Sequence, residues 1–210
     1  MVRRSEAELR EAILGAASAV FMREGFGAAS VGTIAREAGV STKTIYRFYE
    51  SKTAILTEVI SSFMAQMLPG LDSDAVTSEA DLAPVLTRIL LELSNYGLSA
   101  GGVAANRLAA TEVLRVPEMI AAYYREGHEK IIAAVGRWLR RQEQAGFIVV
   151  GDADRAAAML LSMVFADLTR ESMVSGEPPA EDRIRAWIEA GVAIFLSGVR
   201  RPAPPRKSPA

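Results

Sequence analysis

Residues Ser30–Lys52 read SVGTIAREAGVSTKTIYRFYESK, and this stretch decides the fold. Val31, Ile34, Ala35 and Ala38 recur at i, i+3, i+4 and i+7, the spacing of one buried helix face. Gly39 stands where that helix must stop, since a residue without Cβ enters the left-handed region cheaply. Ser41 is placed to cap a second helix by accepting from its free N–H groups. That second helix buries Ile45 and Phe48 and turns Thr42, Lys43, Tyr46 and Arg47 outward. Two short helices, a Gly-containing turn and a polar outer face describe a helix-turn-helix, over about 30–49, able to enter a DNA groove. A plain αα-corner with a solvated face shares this pattern, so charge placement has to separate the two.

Lys43 lies in the first turn of the second helix, and Lys52 opens the next one after its cap, Ser51. A cation at an exposed helix N-terminus is disfavoured by about 0.3–1 kcal/mol. Both positions make sense if a phosphate arrives there, held jointly by free N–H groups and a lysine. Thr33, Thr42, Thr44, Tyr46 and Tyr49 add hydroxyl donors nearby.

The run GVSTKTIYRFYESKTAIL, preceded by FMREGF and SVGTIAREA, resembles the N-terminal domain of the TetR/AcrR family of transcriptional regulators. The likeness covers about residues 7–67. It implies that Thr42 and Lys43 touch bases, that Tyr46 reaches a base methyl or a phosphate, and that Thr33, Thr44, Tyr49 and Lys52 hold phosphates. Gly32 departs from the pattern, because many members carry a polar or charged side chain there. Base discrimination is therefore expected from Thr42, Lys43 and Tyr46. A weaker likeness to the C-terminal ligand-binding and dimerisation domain of AcrR/AefR-type members runs through RLAATEVLRVPEMIAAYYREGHEKI and GFIVVGDADRAAAMLL.

With 210 residues, half of them hydrophobic, the chain is long enough to bury a sizeable core. Its net charge of −1 gives no general attraction to nucleic acid. The sign is uneven, however: residues 1–56 hold eight cations and six anions, leaving −3 for the remainder. That distribution suits a local contact patch. Cysteine is absent, which removes disulfides, thiolate nucleophiles and thiolate metal sites. His128 is the single histidine and has no G-x-S-x-G partner, and the glycines at 97–102 lack a P-loop lysine. No enzyme, metal or cofactor is expected. The start, MVRRSEAELREAI, has no signal-peptide core, and no run of about 18 apolar residues is present, so a cytoplasmic location is expected.

Along the chain the periodicity is helical throughout, predicting an all-α fold of about nine helices. The first spans about Glu6–Glu24. The fourth starts at Lys52 and carries Ile55, Leu56, Val59, Ile60, Phe63, Met64, Met67 and Leu68, a stripe too wide for one partner. It is expected to join a DNA-binding domain, 7–67, to an effector-binding and dimerisation domain, 68–199, before a proline-rich tail at 200–210. Gly101-Gly102 is read as preceding a helix at about Val103–Leu114, and a single long helix is read over about Pro117–Gln144.

Two further sets follow. The last two helices are apolar on more than one side, and Leu160, Met163, Val164, Ile184, Trp187, Ile188, Gly191 and Phe195 are assigned to a two-fold homodimer interface. Asn95, Tyr96, Asn106, Arg107, Tyr123, Tyr124 and His128 are assigned to a pocket for a small apolar or amphipathic effector. The combined expectation is a homodimeric regulator on a near-palindromic double-stranded DNA operator, released by its effector. The alternative is a helical small-molecule or lipid-binding sensor or adaptor without DNA binding.

Overall fold

The computed structural model describes residues 4–68, 76–112 and 117–199. Its helices are α1 (Glu6–Glu24), α2 (Val31–Ala38), α3 (Thr42–Phe48), α4 (Lys52–Met67), α5 (Leu82–Gly97), α6 (Ala100–Glu112), α7 (Pro117–Tyr123), α8 (Glu129–Gln144), α9 (Ala153–Ser175) and α10 (Glu181–Val199). A π turn over Tyr124–His128 joins α7 to α8 without leaving helical backbone, so nine rods and no strand are present among the described residues. The expected single helix from Pro117 thus holds, with one widened turn that the sequence pattern did not show. None of the described helices is long and apolar enough to cross a membrane.

Two cores form. Ile13, Ala17, Val20, Phe21, Phe26, Ile34, Ala35, Ala38, Ile45 and Ile55 pack together where α1–α3 meet the front of α4. The second core is built from α5, α8, α9 and α10 around Leu86, Leu90, Trp138, Leu139, Leu160 and Ile188. The helix α4 belongs to both: Ile55, Leu56 and Val59 face the first core, while Ile60 lies against the second. Phe63, Met64 and Met67, expected on the same stripe, have side chains outside the described set.

At mid-length α4 is clasped to the π turn. The Ser61 hydroxyl donates to Glu126 at 2.9 Å, and Lys130 pairs with the same carboxylate at 2.6 Å. Hydrogen bonds from Lys130, Arg125 and Ser61 hold the Glu126 carboxyl down to about 2. Gly127, one residue on, is buried against Ile60 of α4.

Two expectations need correction here. Gly101 and Gly102 lie inside α6, not before it, because Ser99 caps that helix by accepting from the Gly102 N–H at 3.1 Å. Of the residues assigned to a subunit interface, Leu160, Val164, Ile184, Ile188 and Gly191 are buried in the chain's own second core, and Phe195 is half-buried against it. Both helices are apolar on two faces, and periodicity alone does not say which face points inward. The outward stripe is Met159 and Met163 on α9 with Trp187 and Ile194 on α10, exposed by 67, 39, 38 and 63 %. Arg183 links the two helices at the end of this face, pairing with Glu171 at 2.6 Å and lying over the Trp187 ring.

At Gly191 α10 packs directly on α9: a Cβ there would sit 2.8 Å from Val164 Cγ2. Alanine is a better helix former than glycine by about 1 kcal/mol, but overpacking a core costs about 1–3 kcal/mol. Gly191→Ala is expected to lower the denaturant midpoint at unchanged m-value, and a raised midpoint would show that Val164 yields instead.

Candidate nucleic-acid interface

The reading head is built from two helices too short to persist alone. Gly39 takes φ 65° and ψ 38°, the left-handed conformation that ends α2. Ser30 caps α2 by accepting from Thr33 N–H, and Ser41 caps α3 by accepting from Thr44 N–H, each at 3.0 Å. Ile45 anchors α3 with no exposed surface, and this sets the opposite face outward.

On that face Thr42 and Lys43 are exposed, and Tyr46 is 57 % exposed, so all three side chains stand toward solvent. Thr33 and Thr44 are half-buried, their hydroxyls 3.0 Å and 2.9 Å from the capping Ser30 and Ser41 hydroxyls. Gly32 is exposed, leaving the outer side of α2 bare at that point. Two guanidinium groups border the same face, Arg47, read as outward but not assigned to DNA, and Arg10, not assigned at all. Arg47 lies 4.5 Å over the Phe48 ring and Arg10 lies 4.8 Å from its centroid. Both line an open groove beside α3, together with Tyr46, Ser51 and Thr53. Arg47 carried a signal, four residues beyond Lys43 on the outer stripe, whereas Arg10 on α1 had none in the motif.

Two assigned phosphate donors sit elsewhere. Tyr49 is only 5 % exposed and belongs to the first core. Its hydroxyl is turned toward Arg10 but outside hydrogen-bonding geometry, and burial raises the phenol above its ordinary value. The Lys52 ammonium turns inward, donating to the carbonyl oxygens of Phe26, Gly27 and Ala29. Periodicity places a side chain on a face, but it cannot see a long side chain folding back across the chain.

The seven residues assigned to an effector pocket do not converge. The Tyr123 hydroxyl donates to Asn106 Oδ1 at 2.7 Å, and Asn106 donates to Gly97 O at 3.3 Å. Burial raises the Tyr123 phenol. Tyr96 is half-buried against the second core, one residue before Gly97. Arg107 instead donates to Met173 O near the end of α9. Tyr124 and His128 are exposed on the π turn with their tilted rings 5.0 Å apart, and Asn95 is exposed. Among the described residues no group of three or more His, Asp or Glu side chains could hold a metal ion.

A helix-turn-helix head that shares α4 with a second all-helical core is the architecture of a one-chain regulator. Residues 13–59 match the family described as bacterial regulatory proteins, tetR family. Residues 84–198 match the AefR-like transcriptional repressor C-terminal domain. The chain belongs to the tetR family of regulators. A sequence relative, named as the mycofactocin biosynthesis transcriptional regulator MftR of Mycobacterium tuberculosis, is 32 % identical over 102 residues, which is 49 % of this chain and 50 % of MftR. The HTH-type transcriptional regulator YdeS of Bacillus subtilis is 37 % identical over 82 residues, 37 % of this chain and 41 % of YdeS. The chain thus spans about half the length or less of these curated relatives. Among solved structures, a tetR-family protein from Mesorhizobium loti superposes with a TM-score of 0.78 at 24 % identity, covering 95 % of this chain and 100 % of that one. The flavonoid-responsive regulator FrrA superposes with a TM-score of 0.74 at 27 % identity, covering 94 % and 100 %.

Replacing the Tyr49 hydroxyl is the direct check on its placement. Removing a buried, unpaired hydroxyl is close to neutral or stabilising. Tyr49→Phe is therefore expected to leave duplex affinity and its salt dependence unchanged while the melting temperature holds or rises. A lowered salt slope in a fluorescence titration would return Tyr49 to the phosphate set.

Proposed function

We propose that the chain is a DNA-binding transcriptional repressor that acts as a homodimer on a near-palindromic operator and is released by a small effector. The observation that carries the reading is the outer face of α3: Thr42, Lys43 and Tyr46 project from a helix whose opposite side is anchored by the fully buried Ile45. A helix so mounted presents its first turns to base edges in the major groove. Arg10 and Arg47, with the Thr33 and Thr44 hydroxyls, supply flanking phosphate donors.

Dimerisation is supported by the outward stripe of Met159, Met163, Trp187 and Ile194, large apolar groups that a monomer would leave in water. A two-fold pairing through this stripe repeats the reading head and calls for two half-sites. Release is supported by α4, which touches both cores and so carries any movement of the second into the first. A ligand shifts such an equilibrium by its difference in affinity for the two arrangements. The Tyr123–Asn106 pair is the polar element best placed for an effector, since it lies between α6 and α7 and is half-buried. FrrA is described as flavonoid-responsive. An aromatic, weakly acidic molecule with hydroxyl groups is the effector class we assign here.

Binding-site selection tests the reading face. Thr42→Ala and Lys43→Ala are each expected to change base preference, by about 1–3 kcal/mol at the affected positions. An identical consensus for wild type and both variants would remove base reading from α3. Sedimentation tests the pairing: twice 22.6 kDa is expected at micromolar concentration, and Trp187→Asp should yield the 22.6 kDa species. A wild-type monomer at that concentration would end the dimer account.

A further inference from the structure

Lys52 opens α4, at the positive end of that helix's dipole, where a cation is disfavoured unless something compensates it. The compensation is in place without any DNA. The ammonium nitrogen lies 2.5 Å from Phe26 O, 2.8 Å from Ala29 O and 3.2 Å from Gly27 O, with the Phe26 ring centroid 4.5 Å away. An ammonium has three protons, and here they meet three carbonyl oxygens over an aromatic face.

These carbonyls belong to the short connection between α1 and α2. The chain leaves α1 through Gly25, whose N–H returns to Phe21 O, and enters α2 at Ser30, directly after Ala29. Phe26 is itself fixed, buried in the first core with its ring 5.4 Å from that of Phe21. One side chain therefore ties the exit of α1, the entry of α2 and the start of α4. The helix α3 sits between the last two of these, joined to α2 by the Gly39 turn and to α4 by Tyr49–Ser51.

We infer that Lys52 is a positioning residue of the reading head: its ammonium staples the α1–α2 connection to α4, fixing the angle at which α3 is presented, and it is not itself a phosphate ligand. The inference rests on the DNA-binding reading and goes beyond it by assigning how the head is held.

Lysine and arginine separate the two roles. Either cation serves a phosphate, and the guanidinium fork serves it well, but a planar fork does not aim three donors at a pyramidal set of carbonyls. The experiment uses the full chain, Lys52→Ala and Lys52→Arg, with a random-sequence duplex titrated over a range of salt. Both variants are expected to lose about tenfold in affinity at every salt concentration, the equivalent of one charge-assisted bond, with the slope of log K against log[salt] unchanged. A slope smaller by about 0.9 in Lys52→Ala, with Lys52→Arg equal to wild type, would overturn the inference in favour of a direct phosphate contact. A second readout starts from DNA-free protein, with Lys52→Arg identifying which ammonium signal belongs to Lys52. In protein with nitrogen-15 in its lysines, a held ammonium exchanges its protons slowly enough to give a proton–nitrogen correlation at mildly acidic pH, whereas an open one does not. A Lys52 ammonium signal in DNA-free wild type supports the staple; its absence there, with appearance only on adding duplex, overturns it. If wild type fails to bind any duplex, the regulator reading falls, and the ammonium signal still decides the staple.

Discussion

Everything else in the molecule depends on the sharing of α4 between two hydrophobic cores. A helix is stiff along its axis because each residue is tied to the turn before it. With Ile55 sealed into one core and Ile60 lying against the other, the front and rear of the rod cannot be displaced independently. The contact is also directional. Ser61, Glu126 and Lys130 form a polar clasp at the middle of α4, where apolar packing alone would allow sliding. Charged groups exchanged for water rarely add much stability at a surface. The clasp adds a polar contact of defined geometry at one point along α4.

The reading head follows from the same logic at smaller scale. Neither α2, with 8 residues, nor α3, with 7, would persist in water. They exist because Ile34, Ala35, Ala38 and Ile45 are buried in the first core, and because Ser30 and Ser41 satisfy the amides that short helices leave open. The outward direction of Thr42, Lys43 and Tyr46 is the geometric remainder of that burial. Stability and recognition occupy opposite sides of the same few residues, so the recognising side can vary without disturbing the core.

How far this was legible in the sequence divides along physical lines. The turn at Gly39, both caps, the start of α4 and its double role were readable, because each depends on local chemistry or on a period of 3.6 residues. Three things were not. The direction of α9 and α10 was hidden because an apolar face looks the same whether it meets its own chain or another, so Leu160 and Met163 were grouped together although one is buried and the other exposed. The Lys52 contact joins residues more than twenty positions apart and depends on a flexible stem, which no window reports. The polar residues of the second domain scattered for a third reason. Asn106, Arg107 and His128 each find a different neighbour, and composition says nothing about convergence.

The widened turn at Tyr124–His128 carries a consequence for how this helix tolerates change. A π turn holds one residue more than an α turn. It joins Pro117–Tyr123 to Glu129–Gln144, and Glu126 meets α4 while Val135 and Trp138 meet the second core. A widened turn absorbs its extra residue locally, so deleting one residue here would restore an ordinary spiral and leave the buried indole of the later half facing the second core. Length in this segment is consequently freer by one residue than in the regular helices around it.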